Sequence, residues 1–407
     1  MVRLPTQGLA PSALGHYNRA GSLQLSAPPP LALYVHFPWC VRKCPYCDFN
    51  SHAAQASGVP EQAYVDALLA DLEISLPLIW GRSIQSIFMG GGTPSLFSPQ
   101  AIDRLLGALR ARLPLVGDCE ITLEANPGTF EADRFKAFRQ AGVSRLSLGV
   151  QSFNDAQLKA LGRVHDSDQA RDAAQEAQQV FDTFNLDLMY GLPGQTLDDL
   201  TADVQTALSF KPPHLSVYHL TIEPNTYFSK YPPDLPDEDS CAQMLDQVTE
   251  LAASQGLERY EVSAYSLRGH RSRHNQNYWK FGDYLGIGAG AHSKLSFPNR
   301  VIRQVRLKDP QLYLLGAMSN MPIALEDEVA RKDLPFEFML NALRLVDGIG
   351  LDLFTQRTGL ALSAIEPALA QTIELGLLQR SDHEVRATAK GFDFLNDLQA
   401  MFLPDKA

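Results

Sequence analysis

The hydrophobic pattern along the first 260 residues alternates between short apolar runs and longer amphipathic stretches. Short apolar runs bounded by turn residues are typical of buried strands, and apolar residues at helical spacing indicate helices. The pattern predicts strands over 31–37, 86–89, 120–123, 145–150, 184–189 and 214–220. It predicts helices over 61–76, 100–113, 131–140, 168–180, 197–208 and 237–254, the last ending before Gly256.

Six strand–helix alternations predict an α/β fold with a parallel sheet and helices outside it. Polar and glycine-rich residues follow the C-terminal ends of successive strands, the face that carries the active site in barrel folds. Because the count stops short of eight, we predict a partial (β/α)6 TIM-like barrel over residues 31–257.

The rest of the chain divides into three predicted segments. Residues 1–30 contain no Asp or Glu and are expected to form a flexible tail. Residues 258–325 are rich in aromatic residues and glycine, and are expected to be loops that cover a site. Residues 326–407 predict a winged-helix-like α+β domain, from helices over 336–346 and 363–375, strands over 377–380 and 385–387, and a last helix from 389.

The helix over 363–375 is predicted to open with Ser363 and Glu366 at capping-box spacing. In a winged helix its position is that of a DNA-recognition helix. It carries two glutamates and no Lys or Arg, so structural packing or a lid role is expected instead.

Charge and cysteine usage narrow the function classes. The formal net charge of −11 argues against a dominant nucleic-acid surface, and no apolar run approaches 18 residues, so no membrane span is predicted. Five cysteines, three of them clustered, do not suggest a disulfide framework. Cys119 and Cys241 are expected to be free structural thiols, and a cytoplasmic, reducing compartment is predicted.

The clustered thiols Cys40, Cys44 and Cys47 have the spacing C-x3-C-x2-C. Structural zinc sites are normally closed by four protein ligands. Three thiolates alone can hold a 4Fe–4S cluster and leave one iron open for a ligand that is not protein. The alternative is a zinc site with His36 or His52 as the fourth ligand.

Polar residues follow the other predicted strands. Gly90 to Thr93 permits close approach of a ligand to the backbone. Glu124, Gln151, Arg163 and Asp187 lie at or just beyond the ends of apolar strands and together predict a polar ring suited to ribose hydroxyls, a carboxylate and an adenine edge. Taken singly, each could equally solvate a loop.

The cysteine spacing, with Tyr46 before the last cysteine, resembles the signature of the radical S-adenosylmethionine (SAM) superfamily. Residues 34–40, 90–94, 146–154 and 187–196 resemble its coproporphyrinogen dehydrogenase-like branch, from about Leu31 to the C-terminus. The resemblance implies a 4Fe–4S cluster on the three cysteines and bound SAM. The implied SAM contacts are Tyr34, Tyr46, Gly91, Gly92, Thr93, Glu124, Gln151, Arg163 and Asp187.

Two features separate members of this branch. The dehydrogenases carry a fourth cysteine where this chain has Phe49, whereas the haem-chaperone members resemble this chain there and share the H-N-x-x-Y-W segment. That segment, tied to haem binding in those relatives, comprises His274, Asn275, Tyr278 and Trp279. We add the hypothesis that Arg300, Arg303 and Arg306 meet haem propionates. The alternative is that His274 and Trp279 pin a loop over the barrel mouth.

The sequence therefore favours a haem-binding chaperone with a 4Fe–4S cluster and SAM, and no catalytic residue is assigned. Its expected partners are haem, haem-accepting proteins of the respiratory-chain type and, in a homodimer, a second copy of the chain, with no nucleic acid. Oxidative decarboxylation of coproporphyrinogen III to protoporphyrinogen IX is the alternative function. Radical chemistry on another tetrapyrrole stays open.

Overall fold

The computed structural model describes residues 21, 23–56, 58–128 and 133–404. Its strands, in chain order, are β1 Leu31–Phe37, β2 Trp39–Cys40, β3 His52–Ala53, β4 Ile84–Gly91, β5 Leu115–Ala125, β6 Arg145–Gln151, β7 Phe184–Tyr190, β8 His214–His219, β9 Glu258–Arg259, β10 Ala264–Ser266, β11 Asp283–Ile287, β12 His292–Phe297, β13 Arg300–Arg306, β14 Ile323–Glu328, β15 Ile349–Gly350, β16 Leu378–Arg380 and β17 Glu384–Ala387.

The α-helices, in the same order, are α1 Glu61–Ser75, α2 Pro99–Arg112, α3 Arg134–Ala141, α4 Asp155–Ala160, α5 Ser167–Val180, α6 Leu197–Ser209, α7 Tyr227–Lys230, α8 Glu238–Ser254, α9 Arg273–Trp279, α10 Pro310–Met318, α11 Leu334–Ala342, α12 Leu351–Thr358, α13 Glu366–Glu374, α14 Ala389–Asp393 and α15 Leu395–Ala400. Short 3-10 helices lie at Leu76–Ile79, Pro94–Leu96 and Leu362–Ala364. Among the described residues, none of these helices combines the length and the apolar character needed to cross a membrane.

The main sheet has the strand order β14-β13-β12-β11-β1-β4-β5-β6-β7-β8-β10-β9. The six predicted strands are consecutive neighbours in it, and every pair from β1 to β8 is parallel. The predicted partial barrel with a small C-terminal domain is confirmed. A seventh parallel strand, β11, pairs with the other side of β1 and was missed, because no strand–helix unit leads into it.

Capping side chains determine where several outer helices begin, shortly after the strands end. The Ser98 side chain accepts a hydrogen bond from the Ala101 N–H at the start of α2. Asp166 with Gln169, and Thr196 with Asp199, form capping boxes at the starts of α5 and α6. Each helix thus begins near the C-terminal edge of the sheet and leaves the residues before it to face the barrel opening.

The expectation that residues 258–325 are loops is wrong, since the segment contains two helices and the antiparallel strands that extend both sheet edges. Its aromatic and glycine residues suggested loops, but they belong to regular elements whose polar residues are paired internally. Lys294 Nζ lies 3.1 Å from Asp283 Oδ1, and the Ser296 hydroxyl donates to the same carboxylate at 2.7 Å. All three residues are buried.

The C-terminal domain has the element order of a winged helix: α11, β15, α12, α13, β16, β17, with a three-stranded sheet β15-β17-β16. Two of its elements, α12 and β15, were not predicted. The predicted capping box is wrong, because residues Leu362–Ala364 form a separate 3-10 turn and α13 begins at Glu366 without a side-chain cap.

The flexible-tail prediction for residues 1–30 is wrong at its C-terminal part. Leu23 and Leu25 are buried in the apolar cluster of the C-terminal domain, together with Phe281 and Phe338. The Leu25 N–H donates to the Pro298 carbonyl at 2.8 Å. Residues 1–20 and residue 22 lie outside the described residues.

Candidate cofactor site

The three clustered cysteines lie on a loop that leaves β1 and is closed on itself. Strand β2 pairs with β3, and the His52 N–H donates to the Pro38 carbonyl at 2.7 Å. Cys40, Cys44 and Cys47 are free, half-buried thiols that line one cavity. Burial raises the pKa of the Cys40 thiol above its ordinary value.

A glycine loop at the end of β4 packs directly against this cysteine loop. The Gly92 N–H donates to the Phe37 carbonyl at 2.7 Å, and the Thr93 N–H donates to the Trp39 carbonyl at 2.8 Å. A Cβ atom on Gly92 would lie 2.6 Å from the Trp39 carbonyl oxygen. Glycine is therefore required here for backbone to approach backbone, in addition to the predicted approach of a ligand.

The cavity, about 390 Å³ in volume, lies inside the barrel and opens beside the cysteine loop. Its walls come from every second residue of the parallel strands, as the strand period of two requires. The contributing residues are Arg145, Ser147, Gly149 and Gln151 on β6, Asn185, Asp187 and Met189 on β7, and His214, Ser216 and Tyr218 on β8.

Eight of the nine residues predicted to contact SAM line this cavity, namely Tyr46, Gly91, Gly92, Thr93, Glu124, Gln151, Arg163 and Asp187. Tyr34 does not. Its ring stacks on Phe88, and its hydroxyl lies 3.0 Å from His36 Nδ1. Gln151 has a φ of 70°, a left-handed conformation uncommon for a residue with a side chain and often found at functional sites.

Two carboxyl groups face each other across the cavity wall. Burial raises the pKa of Glu124 to about 8, and the nearby Asp187 carboxylate adds to that rise. Burial also raises the pKa of Asp187 to about 6, against hydrogen bonds from Asn185 and Ser147 that lower it. One face of the cavity can therefore hold a proton or receive a cationic group, as an ammonium would provide.

Arg163 joins this wall to the cysteine loop. Its guanidinium donates to the Gly149 carbonyl at 2.7 Å, to Asn126 Oδ1, and to Cys44 Sγ at 3.6 Å. Its Nε is buried with no hydrogen-bond partner among the described residues. A buried donor without a partner is costly unless a ligand satisfies it.

A chain of directional hydrogen bonds underlies Asp187. Asn185 Nδ2 donates to Asp187 Oδ1 at 2.7 Å, and Asn185 Oδ1 lies 2.7 Å from His214 Nδ1. That amide oxygen can only accept, so His214 carries its proton on Nδ1. His214 Nε2 then accepts from the Tyr260 hydroxyl at 2.9 Å. Tyr260 in turn accepts from the Ser272 N–H at 3.3 Å.

The H-N-x-x-Y-W segment forms helix α9 at the N-terminal ends of the strands, opposite the mouth. The Arg273 and His274 amides donate to Glu120 Oε1, and Arg145 donates to the His270 carbonyl. The alternative that His274 and Trp279 pin a loop over the barrel mouth is therefore wrong. His274 belongs to the floor, because its Nδ1 faces Ser86 and its N–H faces Glu120, at the N-terminal ends of β4 and β5. Trp279 packs against the apolar cluster of the C-terminal domain.

Only Asn275 of the four predicted haem-binding residues lines the cavity. His274 is 3% exposed, its Nδ1 lies 3.1 Å from the Ser86 hydroxyl, and its Nε2 has no partner in the described part of the chain. Burial lowers the pKa of His274 to about 3, so the imidazole is neutral. Tyr278 stacks on Tyr284, and Trp279 packs under the Arg344 guanidinium.

The three arginines proposed for propionates are paired with carboxylates instead. Arg306 is fully buried with Asp71, at 3.1 Å. Arg303 contacts Glu337 at 2.6 Å, and Arg300 contacts Glu328 at 3.4 Å. The hypothesis is wrong in this structure, because strand β13 runs beside acidic elements that already satisfy its basic side chains.

Neither histidine proposed as the fourth ligand of a zinc site is free to bind a metal. His36 Nε2 donates to the Asn50 carbonyl at 2.9 Å, which leaves Nδ1 to accept from Tyr34. His52 Nε2 lies 3.3 Å from Asn50 Oδ1. Within the described ranges, no three His, Cys, Asp or Glu side chains converge on a position for a single metal ion.

The cavity fits a three-thiolate cluster and a polar nucleoside-type ligand beside it. Three free thiols face it, and two buried polar atoms on its lining, Arg163 Nε and Thr122 Oγ1, have no partner among the described residues. The Glu124 and Asp187 carboxyls add acceptors for hydroxyl or ammonium groups. These are the donor and acceptor types that SAM and an open cluster iron require.

Sequence reasoning missed the lower wall of the cavity, namely Arg145, Ser147, Asn185, His214 and Ser216. The signal was present. Each lies an even number of residues, two, four or six, before a cavity-lining residue near the end of its strand, so it shares the inward face. The predicted runs were treated as apolar throughout, and their alternating polar positions were not used.

Two family models match the chain. Residues 34–207 match the Radical SAM superfamily, and residues 329–394 match the HemN C-terminal domain. A solved structure of the Escherichia coli coproporphyrinogen III oxidase HemN, described as a radical SAM enzyme, covers 97% of this chain and 93% of its own, at a TM-score of 0.79 and 22% identity. That identity supports the fold alone.

Two curated relatives are similar over nearly their full length. The Heme chaperone HemW of Escherichia coli is 47% identical over 379 residues, which cover 93% of this chain and 99% of the relative. The Heme chaperone HemW of Bacillus subtilis is 34% identical, over 91% of this chain and 98% of the relative. The cofactors of this chain are accordingly a 4Fe–4S cluster and SAM. The chain belongs to the HemW family of radical SAM proteins.

Proposed function

We propose that this chain is a haem chaperone, which binds haem and delivers it to acceptor proteins. The observation that carries the proposal is the 47% identity, over 93% of the chain, to a protein named as a haem chaperone. A match of that extent includes the barrel, the floor helix and the C-terminal domain. The proposed acceptors are proteins of the respiratory-chain type.

We also propose the residues that hold the cofactors. Cys40, Cys44 and Cys47 are the cluster ligands, and the SAM contacts are the eight predicted residues that line the cavity, Tyr46, Gly91, Gly92, Thr93, Glu124, Gln151, Arg163 and Asp187. When bound, the cluster and SAM together supply one-electron chemistry at the sulfonium. In this proposal Glu124 and Asp187 accept hydrogen bonds from SAM, and Arg163 donates to it while fixing Cys44.

The haem contacts His274, Asn275, Tyr278 and Trp279 remain a proposal that has a structural requirement. His274 Nε2 is a neutral nitrogen without a hydrogen-bond partner among the described residues, which suits an iron ligand. It is nevertheless enclosed by the barrel floor. Haem could reach it only if α9 moved away from β4 and β5.

Partners and compartment complete the proposal. All five cysteines are free, which is consistent with a reducing compartment, and we propose the cytoplasm. We also propose a homodimer as the assembly through which haem is passed on.

The alternative function is oxidative decarboxylation of coproporphyrinogen III. The fold match to a coproporphyrinogen III oxidase favours it, and Phe49 in place of a fourth cysteine argues against it. The test measures haem binding and anaerobic porphyrinogen oxidation on one cluster-reconstituted sample. Saturable haem binding without protoporphyrinogen IX supports the chaperone, and substrate turnover would refute it.

A further inference from the structure

Exposed apolar side chains collect around the opening of the cofactor cavity. Val41, Phe49, Val164 and Tyr218 expose 51%, 62%, 45% and 42% of their surface, and all four line the cavity. Single exposed apolar residues are normal on a protein surface, but a contiguous group at the rim of a cavity indicates a binding site. We call these four residues the mouth surface.

Phe49 is held outward by its own loop. Its carbonyl oxygen accepts from Lys43 Nζ at 3.0 Å and from the Ser51 N–H at 2.7 Å, so the backbone beside the ring is tied down. Removing a phenylalanine ring from water is favourable. A flat apolar ligand that covers this ring would recover most of that free energy.

A histidine stands at the same opening. His219 ends β8, is exposed, and lines the cavity next to Tyr218. Its ring stacks on Tyr190 with centroids 4.9 Å apart and planes 18° from parallel, which fixes its orientation. Neither ring nitrogen has a hydrogen-bond partner among the described residues. Partial desolvation at the cavity wall lowers the pKa of His219, which favours the neutral imidazole, the form that binds iron.

Basic groups lie on the cysteine loop beside the mouth surface. Arg42 and Lys43 directly follow Val41 and are exposed. Arg42 uses Nε and Nη2 to donate to the Gly162 and Arg163 carbonyls, which orients its guanidinium. Both can pair with carboxylates at the rim. Asp48 and Glu223 also line the opening and would repel carboxylates from their own side.

We propose that haem binds flat across the mouth surface, with His219 as an axial iron ligand. Phe49 and Tyr218 contact the macrocycle, and Arg42 and Lys43 face the propionates. This proposal rests on the proposed function, that the chain binds haem, and gives it a site that needs no rearrangement of the barrel floor. Haem in this position would cover the cavity that holds the cluster thiols.

The test is a haem titration of the full-length, cluster-reconstituted chain and three variants, followed by absorbance and by the electron paramagnetic resonance of the ferric iron. We expect His219→Ala to lose the axial-histidine signature and to weaken haem binding about tenfold or more. Phe49→Ser should weaken binding severalfold with the signature retained. His383→Ala, which removes an exposed histidine of the C-terminal domain outside the cavity lining, serves as the matched control and should bind haem as the wild type does.

Iron content and thermal melts of each variant establish that the fold and cluster are intact. Unchanged haem affinity and spectra in His219→Ala would overturn the mouth site, as would an equal loss of haem binding in His383→Ala. Both results leave the proposed function standing, because the wild-type chain still binds haem. If the wild-type chain shows no saturable haem binding, the proposed function fails and this proposal fails with it.

Discussion

At the scale of single residues, the half-buried carboxyl of Glu124 is the most informative group in the cavity. Its raised pKa means that the folded chain favours the protonated form and the unfolded chain ionises more readily. Its contribution therefore lowers the free energy of unfolding as the pH rises from about 4.5 to about 8. A ligand that donates hydrogen bonds to the Glu124 carboxylate would offset this unfavourable ionisation.

We predict that Glu124→Gln removes this pH dependence in the cofactor-free chain. Because Glu124 is only half-buried and the cavity admits water, the expected difference from wild type is on the order of 1–3 kcal/mol, developing between about pH 5 and pH 8. Urea unfolding of both proteins across that range measures it. A difference between the two proteins that stays constant with pH would contradict the assignment.

His214, on the lower wall of the cavity, supports Asp187 indirectly through Asn185. We predict that His214→Leu weakens SAM binding to the reconstituted chain about tenfold, since the Asn185 amide loses a donor that orients it. His214→Asn keeps an N–H near the Nδ1 position and should restore most of the affinity. Calorimetric titration with SAM distinguishes the two variants.

A purely structural role for His214 would give a different result. Both variants would then lower the melting temperature and leave SAM affinity unchanged below the melting transition. Tyr260→Phe provides a further comparison, because it removes the last hydroxyl donor of the chain and should have a smaller effect than His214→Leu.

At the scale of elements, the cysteine loop and the glycine loop form one unit. Their backbones are joined by the hydrogen bonds of Gly92 and Thr93 to Phe37 and Trp39. Neither loop has a regular conformation of its own that would hold three thiols. The geometry of the thiols therefore depends on close packing between the ends of β1 and β4.

We predict that Gly92→Ala disrupts this unit. The added methyl would lie 2.6 Å from the Trp39 carbonyl oxygen and 2.7 Å from that of Phe37, so backbone must shift at a cost of roughly 1–3 kcal/mol. Iron content after reconstitution should fall severalfold. Gly107→Ala is the control, because its Cβ meets no atom within 4 Å on α2 and should stabilise the chain by about 0.5–1 kcal/mol.

Full iron content in Gly92→Ala would show that the loop packing does not position the thiols. Equal loss in Gly107→Ala would show that the effect is general destabilisation.

The strand–helix units of the barrel could be predicted from the sequence because each one carries its own signals, an apolar run and a capped amphipathic helix. Strand β11 could not be predicted in this way. Its partner β1 lies more than 240 residues earlier in the chain, and no local sequence signal indicates that the two strands pair. The hypothesis that the arginines of β13 meet haem propionates was wrong for a related reason. Their carboxylate partners lie on elements distant in sequence, such as Asp71 on α1.

The candidate site shows the same division. Cys40, Cys44 and Cys47 could be predicted as cluster ligands because they lie within eight residues of each other, at a spacing that itself indicates the site. His274 could not be located, since its motif gives residue types and leaves open which end of the barrel the helix occupies. His219 carried no motif and emerged only from its exposure beside Phe49 and Tyr218.

At the scale of the whole molecule, the barrel is closed at the N-terminal ends of its strands and open beside the cysteine loop. Helix α9 forms the floor, and the C-terminal domain packs with Leu23, Leu25 and Phe281 into a separate apolar cluster. The cysteine loop lies at the open end. A large, flat ligand can therefore reach the cluster side of the molecule and is kept from the floor side.

The proposed function implies that this architecture serves haem transfer and leaves porphyrinogen oxidation to other proteins. The most direct measurement supplies one anaerobic, cluster- and SAM-loaded sample with haem in one aliquot and coproporphyrinogen III in another, with Cys44→Ala as the cluster-free control. We predict saturable haem binding in the first aliquot and no protoporphyrinogen IX in the second. Formation of protoporphyrinogen IX by the wild-type chain and not by Cys44→Ala would contradict the account.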